Sequence, residues 1–330
     1  MKAVIPAAGI GKRLRPHTYS KPKALVSVAG RPMLGHIIDS LIGMGVDELI
    51  PIIGYRGELI RDYIQSRYSN IKSNFVVQEE QKGIAHAVNL TREYADNSEV
   101  IIILGDTIIE TDFSRIPGVG DYVLGVREVD NPGRFGIVEA ENDIVTGIEE
   151  KPDQPKSNLA IVGLYYLRDS SPLFEACSEI IQNDIKTKGE YQITDALGLM
   201  IEHGTEFRVY RIEDWYDCGK IETLLQTNRV LLDKDGGKPS RDGSLIIPPC
   251  YIPDNCVVER SIVGPYVSLS EGCEINSSII DNSIIEEGSR VSDSVISGSV
   301  LGSNSEVIGD RKRLNISDNS TLSPGEDGKG

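Results

Sequence analysis

The chain opens Met1-Lys2-Ala3-Val4-Ile5-Pro6-Ala7-Ala8-Gly9-Ile10-Gly11-Lys12-Arg13-Leu14-Arg15-Pro16, and the fold is read outward from this stretch. Lys2 to Pro6 has the short apolar run of a buried strand. Small residues follow at once, then Lys12, Arg13 and Arg15. A strand that ends in a small-residue turn lets backbone N–H groups approach a phosphate chain, and the cations supply charge. The turn lacks the third glycine of a dinucleotide fingerprint and the spacing of a Walker A loop. Taken alone, a Gly-x-Gly turn is a weak signal that suits a purely structural bend better. Lys21-Pro22-Lys23 comes soon after and would place a second cation near the same turn.

Beyond this turn, short β-branched runs alternate with amphipathic stretches as far as about residue 235, the pattern of a parallel or mostly parallel α/β sheet. Strands are expected over 46–53, 74–78, 100–104, 122–126, 136–140, 144–149 and 161–167. Helices are expected over 33–44, 57–68, 84–94 and 172–182. Val100 to Leu104 is the most apolar strand and runs into Gly105-Asp106. Open α/β sheets bind ligands beyond the carboxyl ends of their strands, so Asp106 would project into such a crevice.

Near Asp235-Gly236-Gly237 the composition changes, with aromatics rare and Gly, Ser, Asn, Val and Ile dominant. Ile252, Val257, Ile262 and Val267 recur at five-residue intervals, followed by Ile279 and Ile284, then Val295, Val300 and Val307. Such a repeat marks a β-solenoid whose coils each bury an inward aliphatic and stack on the next. A Ser/Gly linker carries no such regular aliphatic. The expected division is 1–235, 236–310 and a polar, disorder-prone tail over 311–330.

The 330 residues are enough for about two domains. Lys plus Arg number 34 against 50 Asp plus Glu, a net charge of −16, of which −6 falls from Gly236 onward. Nucleic acid and anionic membranes select basic surfaces, so neither is an expected partner. A small anionic substrate remains compatible, provided the few cations gather in one basic pocket. The five cysteines show no CxxC spacing, which argues against structural zinc and a disulfide framework. With no long apolar run and no leader-like N-terminus, a cytoplasmic protein is expected.

The ordered motifs resemble those of the sugar-1-phosphate nucleotidylyltransferases, and most of all the long-type glucose-1-phosphate thymidylyltransferases with a C-terminal left-handed β-helix. The likeness is carried by Gly9-x-Gly11-x-Arg13-Leu14-x-Pro16, Ser20-Lys21-Pro22-Lys23-Ala24-Leu25, Gln78 with Gly83, and Leu104-Gly105-Asp106. Further matches are Phe135-Gly136-Ile137-Val138-Glu139, Glu149-Glu150-Lys151-Pro152, Gly189-Glu190 with Ile193-Thr194-Asp195, and Trp215-Tyr216-Asp217-Cys218-Gly219. It implies a Rossmann-like α/β domain with a mixed sheet, followed by the left-handed parallel β-helix.

It also implies a reaction. A sugar-1-phosphate oxygen attacks the α-phosphate of a nucleoside triphosphate, leaving a nucleotide sugar and pyrophosphate. Such transfers demand in-line positioning and charge neutralisation rather than a nucleophilic side chain. By resemblance, Arg13, Lys23 and Lys151 are the catalytic cations. Ala8, Gly9, Gly11, Lys12, Arg13, Gln78 and Gly83 bind the nucleotide. Gly136, Glu150, Lys151, Asn158, Ile161 and Trp215 line the sugar-phosphate pocket, and Asp106 with Asp217 holds Mg²⁺. The Gln78 amide offers a donor and an acceptor to a pyrimidine edge. Trp215, the only tryptophan, suits a core anchor as well as a pocket wall.

Departures from the family pattern are Lys12, where many relatives carry Thr, and Val26-Ser27, where Leu-Pro is usual. Lys12 is expected to add triphosphate affinity, and Val26-Ser27 to change only loop stiffness. Uridylyl transfer to glucose- or N-acetylglucosamine-1-phosphate remains an alternative, as does a non-catalytic nucleotide-sugar-binding subunit. All four histidines precede the solenoid, which leaves it without the usual base for acyl transfer. The solenoid is therefore expected to be structural or to support a homo-oligomer.

Overall fold

A computed structural model describes residues 1–237 and 239–309. The tail expected over 311–330 lies outside the described residues. The main sheet runs in the order Gly136–Glu141, Ile144–Glu150, Arg208–Arg211, Tyr122–Glu128, Leu159–Leu167, Val100–Ile103, Lys2–Pro6, Glu48–Ile53, Lys72–Ser73, with Val76–Val77 also on Glu48–Ile53. Lys2–Pro6 pairs in parallel with both Glu48–Ile53 and Val100–Ile103. Leu159–Leu167 runs antiparallel to its neighbours on both sides, so the sheet is mixed.

Alternation along the first strand explains why helices cover both faces. Ala3 and Ile5 enter one apolar cluster with Leu34, Ile38, Ile60 and Ile64, whereas Val4 enters the other with Val88, Phe174, Ile193 and Leu197. Successive residues of a strand point to opposite faces, and each fully buried Ile or Leu contributes about 1.5–3 kcal/mol.

Two expected elements are altered. The helix expected over 84–94 is split into Ile84–Asn89 and Arg92–Ala95. Buried Thr91 donates its hydroxyl back to the Val88 carbonyl at 2.7 Å, a local bond that competes with continued helix. The strand expected over 74–78 pairs only at Val76–Val77.

After the Ile221–Asp235 helix, three sheets of four short parallel strands stack coil on coil, consistent with a left-handed parallel β-helix. The inward series lies one residue later than expected at several coils. Val258, Val263, Ile275, Ile280 and Val291 fill the solenoid core, while Val257, Ile279 and Val295 are exposed. Paired aliphatics such as Val257-Val258 and Ile279-Ile280 make the facing ambiguous by periodicity alone. His17 lies beside Gly302 and Ser303 in a cleft between the two parts. A histidine thus reaches the solenoid in space, although none occurs there in sequence.

Candidate active site

The parallel strands Lys2–Pro6 and Val100–Ile103 end side by side, and the turns that leave them build the site. The Gly105 N–H donates to the Pro6 carbonyl at 3.0 Å. A Cβ on Gly105 would lie 2.9 Å from Ala7 Cβ, so a glycine is what lets these turns touch. Beyond them lies a cavity of about 260 Å³ lined by Ala8, Gly9, Lys23, Gln78, Gly83, Asp106 and Glu190 among others.

Each of these side chains is held by a specific neighbour. The Lys23 Nζ meets Asp106 Oδ2 at 2.7 Å, with Lys23 buried and Asp106 half-exposed. Gln78 is buried, and its Nε2 donates to the Gly83 carbonyl at 3.3 Å and faces His86 Nδ1 at 3.4 Å. Burial, chiefly, and then nearby Lys82 lower the His86 pKa, leaving a neutral ring able to accept there. Gly83 adopts φ 110°, and a Cβ on it would sit 2.3 Å from the Tyr191 carbonyl oxygen. Tyr191 N–H donates to Lys82 and the Ala85 N–H to Tyr191, at 2.8 and 3.0 Å. That stitching carries Glu190 into the cavity.

A second cavity of about 630 Å³ adjoins the first, and Ile84, Leu104, Asp106 and Glu190 line both. Antiparallel pairing sets Gly136 opposite Glu150. Lys151 Nζ lies 2.9 Å from Glu150 Oε1, and the Thr194 hydroxyl donates to Glu150 Oε2 at 2.9 Å. Ile161 and Trp215 complete this wall. Trp215 donates its indole N–H to Thr107 Oγ1 at 2.6 Å and meets Phe135 edge-on, ring centres 5.3 Å apart. It is half-buried, lining the cavity on one side and packing against the apolar cluster of Ala3 and Ile5 on the other.

The Thr107–Glu110 and Asp214–Asp217 strands form a ribbon in which Thr107 pairs with Asp217. Asp106, one residue before Thr107, therefore shares an end of the ribbon with Asp217, and both line the second cavity with Arg13. A Cβ on Gly219 would lie 2.8 Å from Asp217 Oδ1 and 3.1 Å from Arg13 Nη2, so both groups crowd the same glycine.

The expected basic pocket is in fact charge-balanced. Arg13, Lys23, Arg134 and Lys151 share the two cavities with Asp106, Glu150, Glu190 and Asp217. Side chains alone do not neutralise a triphosphate here, so a divalent cation on two carboxylates fits the donor set. Mg²⁺ takes one or two carboxylates and completes its shell with phosphate oxygens and water. Cys218, behind the ribbon, is fully buried, and burial pushes its thiol up to about 12. It is no nucleophile.

Not every residue expected here arrives. Lys12 and Asn158 are exposed and line neither cavity. Gly11 lies outside both but adopts φ 67°, packed against the Lys23 side chain. Sequence reasoning missed Glu190, Thr194, and Gln81, whose Nε2 donates to the Ala8 carbonyl at 2.8 Å. Glu190 and Thr194 stood within quoted motifs without a role, and Gln81 carried no signal.

Comparison with known proteins shows the family. The Nucleotidyl transferase family profile matches residues 2–234. The low-salt glycan biosynthesis nucleotidyltransferase Agl11 of Haloferax volcanii is 31% identical, across 98% of this chain and 99% of its own length. The UTP–glucose-1-phosphate uridylyltransferase AglF of the same organism is 34% identical, across 65% of this chain and 89% of its own. Among solved structures, a candidate glucose-1-phosphate thymidylyltransferase from Bacillus anthracis, in complex with sucrose, superposes with a TM-score of 0.61 at 27% identity, covering 73% of this chain and 98% of that one. A family profile spanning most of the chain, and a relative matched over nearly all of it, establish that the protein belongs to the nucleotidyl transferase family.

Proposed function

We propose that the protein joins dTTP and glucose-1-phosphate into dTDP-glucose, releasing pyrophosphate. One observation carries this reading: two cavities, one walled by backbone turns and the other by polar side chains, meet along a shared edge at Asp106. The nucleotide occupies the first, with Gln78 on the base and the turn at Ala8 and Gly9 along the phosphates. The sugar-1-phosphate occupies the second, with Glu150 on its hydroxyls and Lys151 on its phosphate. A sugar-phosphate oxygen then forms a bond to the α-phosphorus while the bridge to the β-phosphate breaks, and pyrophosphate departs with that electron pair.

This chain's own residues position and neutralise. Arg13 and Lys23 hold the triphosphate, Trp215 shapes the sugar pocket, and Asp106 with Asp217 would hold Mg²⁺. That ion, when bound, screens the phosphates and stabilises the charge that develops on the leaving group. No covalent enzyme intermediate is required.

Pyrophosphate release from glucose-1-phosphate with each nucleoside triphosphate and Mg²⁺ tests the reading. Release with dTTP in clear preference supports it, and no release with any pair overturns it. Preference for UTP would instead favour the uridylyl reading, which the likeness to AglF supports. The thymine methyl is worth only about 1 kcal/mol of burial, so the two bases are close competitors.

A further inference from the structure

Glu286 follows the Ile284–Ile285 strand of the β-helix, yet its side chain is only 5% exposed and is turned into the catalytic part. Its Oε1 accepts from the Ser27 N–H at 3.0 Å, and its Oε2 accepts from the Ser27 hydroxyl at 3.0 Å and from Lys21 Nζ at 2.9 Å. A buried carboxylate is costly unless it is paired and hydrogen-bonded, and all these partners lie on one short loop. Lys23, which meets Asp106, sits between the two points of attachment. Lys21 also donates to Ser303 Oγ at 3.0 Å, so the solenoid grips this loop from successive coils.

Packing reinforces the grip. Val26 and Val28 share a buried cluster with Ile284 of the solenoid, and with Ile108 and Cys218 beside the two ribbon carboxylates. Fully buried Asn228 accepts from the Ala29 N–H at 2.9 Å and the Ser268 hydroxyl at 2.7 Å, and donates to the Tyr266 carbonyl at 3.2 Å. The Val26-Ser27 departure thus does more than alter loop stiffness. A proline at position 27 would have neither the N–H nor the hydroxyl that Glu286 uses.

We propose that Glu286 is a positioning residue for nucleotidyl transfer, acting from the β-helix by clamping Lys21 and Ser27 so that Lys23 is fixed where the triphosphate binds. The inference rests on the proposed reading of the site. Glu286 touches no substrate; it removes freedom from the loop whose lysine does. Displacements of about 1 Å in such a group cost on the order of 100-fold.

The test compares Glu286→Gln, which keeps the side chain's shape, with Ser27→Ala, which removes one hydroxyl within the catalytic part. Steady-state kinetics are measured for each substrate with the other saturating, and folding is checked by thermal unfolding. The expected result is a rise in KM for the nucleoside triphosphate, on the order of tenfold for Glu286→Gln and smaller for Ser27→Ala, with KM for the sugar phosphate unchanged. Combining Lys21→Met with Glu286→Gln should be no worse than the more impaired single variant. Folded variants with wild-type KM for the triphosphate, or with both KM values raised together, overturn the positioning role while leaving the activity standing. A wild-type protein inactive with every substrate pair overturns both.

Discussion

Lys23 and Asp106 meet at 2.7 Å, so the cation proposed for the triphosphate and a carboxylate proposed for Mg²⁺ neutralise one another across the edge of both cavities. Substrate phosphates and a metal ion would each compete with this contact. Lys23→Met should therefore lower kcat/KM by roughly 100-fold or more and at the same time tighten binding of Mg²⁺ alone, since a competing cation is gone. Pyrophosphate release and a metal titration read the two effects, and unchanged metal affinity would argue that Asp106 is not a ligand.

Asp217→Asn should keep the fold and lose turnover by orders of magnitude, because it removes a carboxylate proposed for Mg²⁺ from the surface of a ribbon whose backbone pairing is intact. Chelation of the wild-type protein should abolish turnover reversibly, with recovery on adding Mg²⁺. Circular dichroism and pyrophosphate release together separate this from unfolding. Wild-type turnover in Asp217→Asn would refute the assignment.

Gly83→Ala should impair nucleotide binding and stability together. The new Cβ meets the Tyr191 carbonyl oxygen at 2.3 Å, with φ at 110°, a backbone region where strain costs about 1–3 kcal/mol before any displacement. Moving Tyr191 also moves Glu190 and the Gln78 contact. A variant with unaltered melting temperature and unaltered KM for the triphosphate would contradict the tight approach described here.

His36 predicts acid sensitivity. Its Nε2 lies 2.9 Å from the Val28 carbonyl and its Nδ1 3.1 Å from Arg31 Nε. A carbonyl only accepts and Arg Nε only donates, so the ring is neutral with its proton on Nε2. Burial, with Arg31 adding to it, lowers its pKa from 6.5 to about 4. The unfolded chain then takes up a proton that the folded chain refuses. Stability is full above pH 6.5 and falls as pH drops towards 4, by about 3 kcal/mol in all. His36→Gln should flatten that slope in urea titrations at pH 7.5, 6 and 4.5; a slope equal to wild type would exclude His36 as its source.

Most strands of the main sheet were legible because β-branched runs such as Val100–Ile103 are apolar throughout, but Arg208–Arg211 and the ribbon strands Thr107–Glu110 and Asp214–Asp217, short and partly polar, were not. Strand direction was less legible. Leu159–Leu167 is buried along its whole length, and a strand covered on both faces lacks the alternation that usually marks an antiparallel one. The Ile193–Glu202 helix passed as a motif only. Motifs located most of the site, since Gly136 and Glu150 are neighbours through a hairpin register and Asp106 and Asp217 through a ribbon. Glu190 arrives by hydrogen bonds to Lys82 and Ala85 made by the residue after it, and no spacing along the chain encodes such a crossing. The role of Ser27 was equally hidden, because its partner lies 259 positions away.

The stacking register of the solenoid carries an evolutionary constraint. Ser268 pairs with Ile284 and Leu269 with Ile285, so the phase of that single coil determines which side of the solenoid Glu286 faces. Whole-coil duplications beyond Val307 leave that phase, and the Lys21–Ser303 contact, alone. Inserting or deleting one residue between Leu269 and Ile284 turns Glu286 away from the catalytic loop. Length variation is thus free at one end of the solenoid and forbidden near its middle, and that asymmetry is what comparison of natural variants should display.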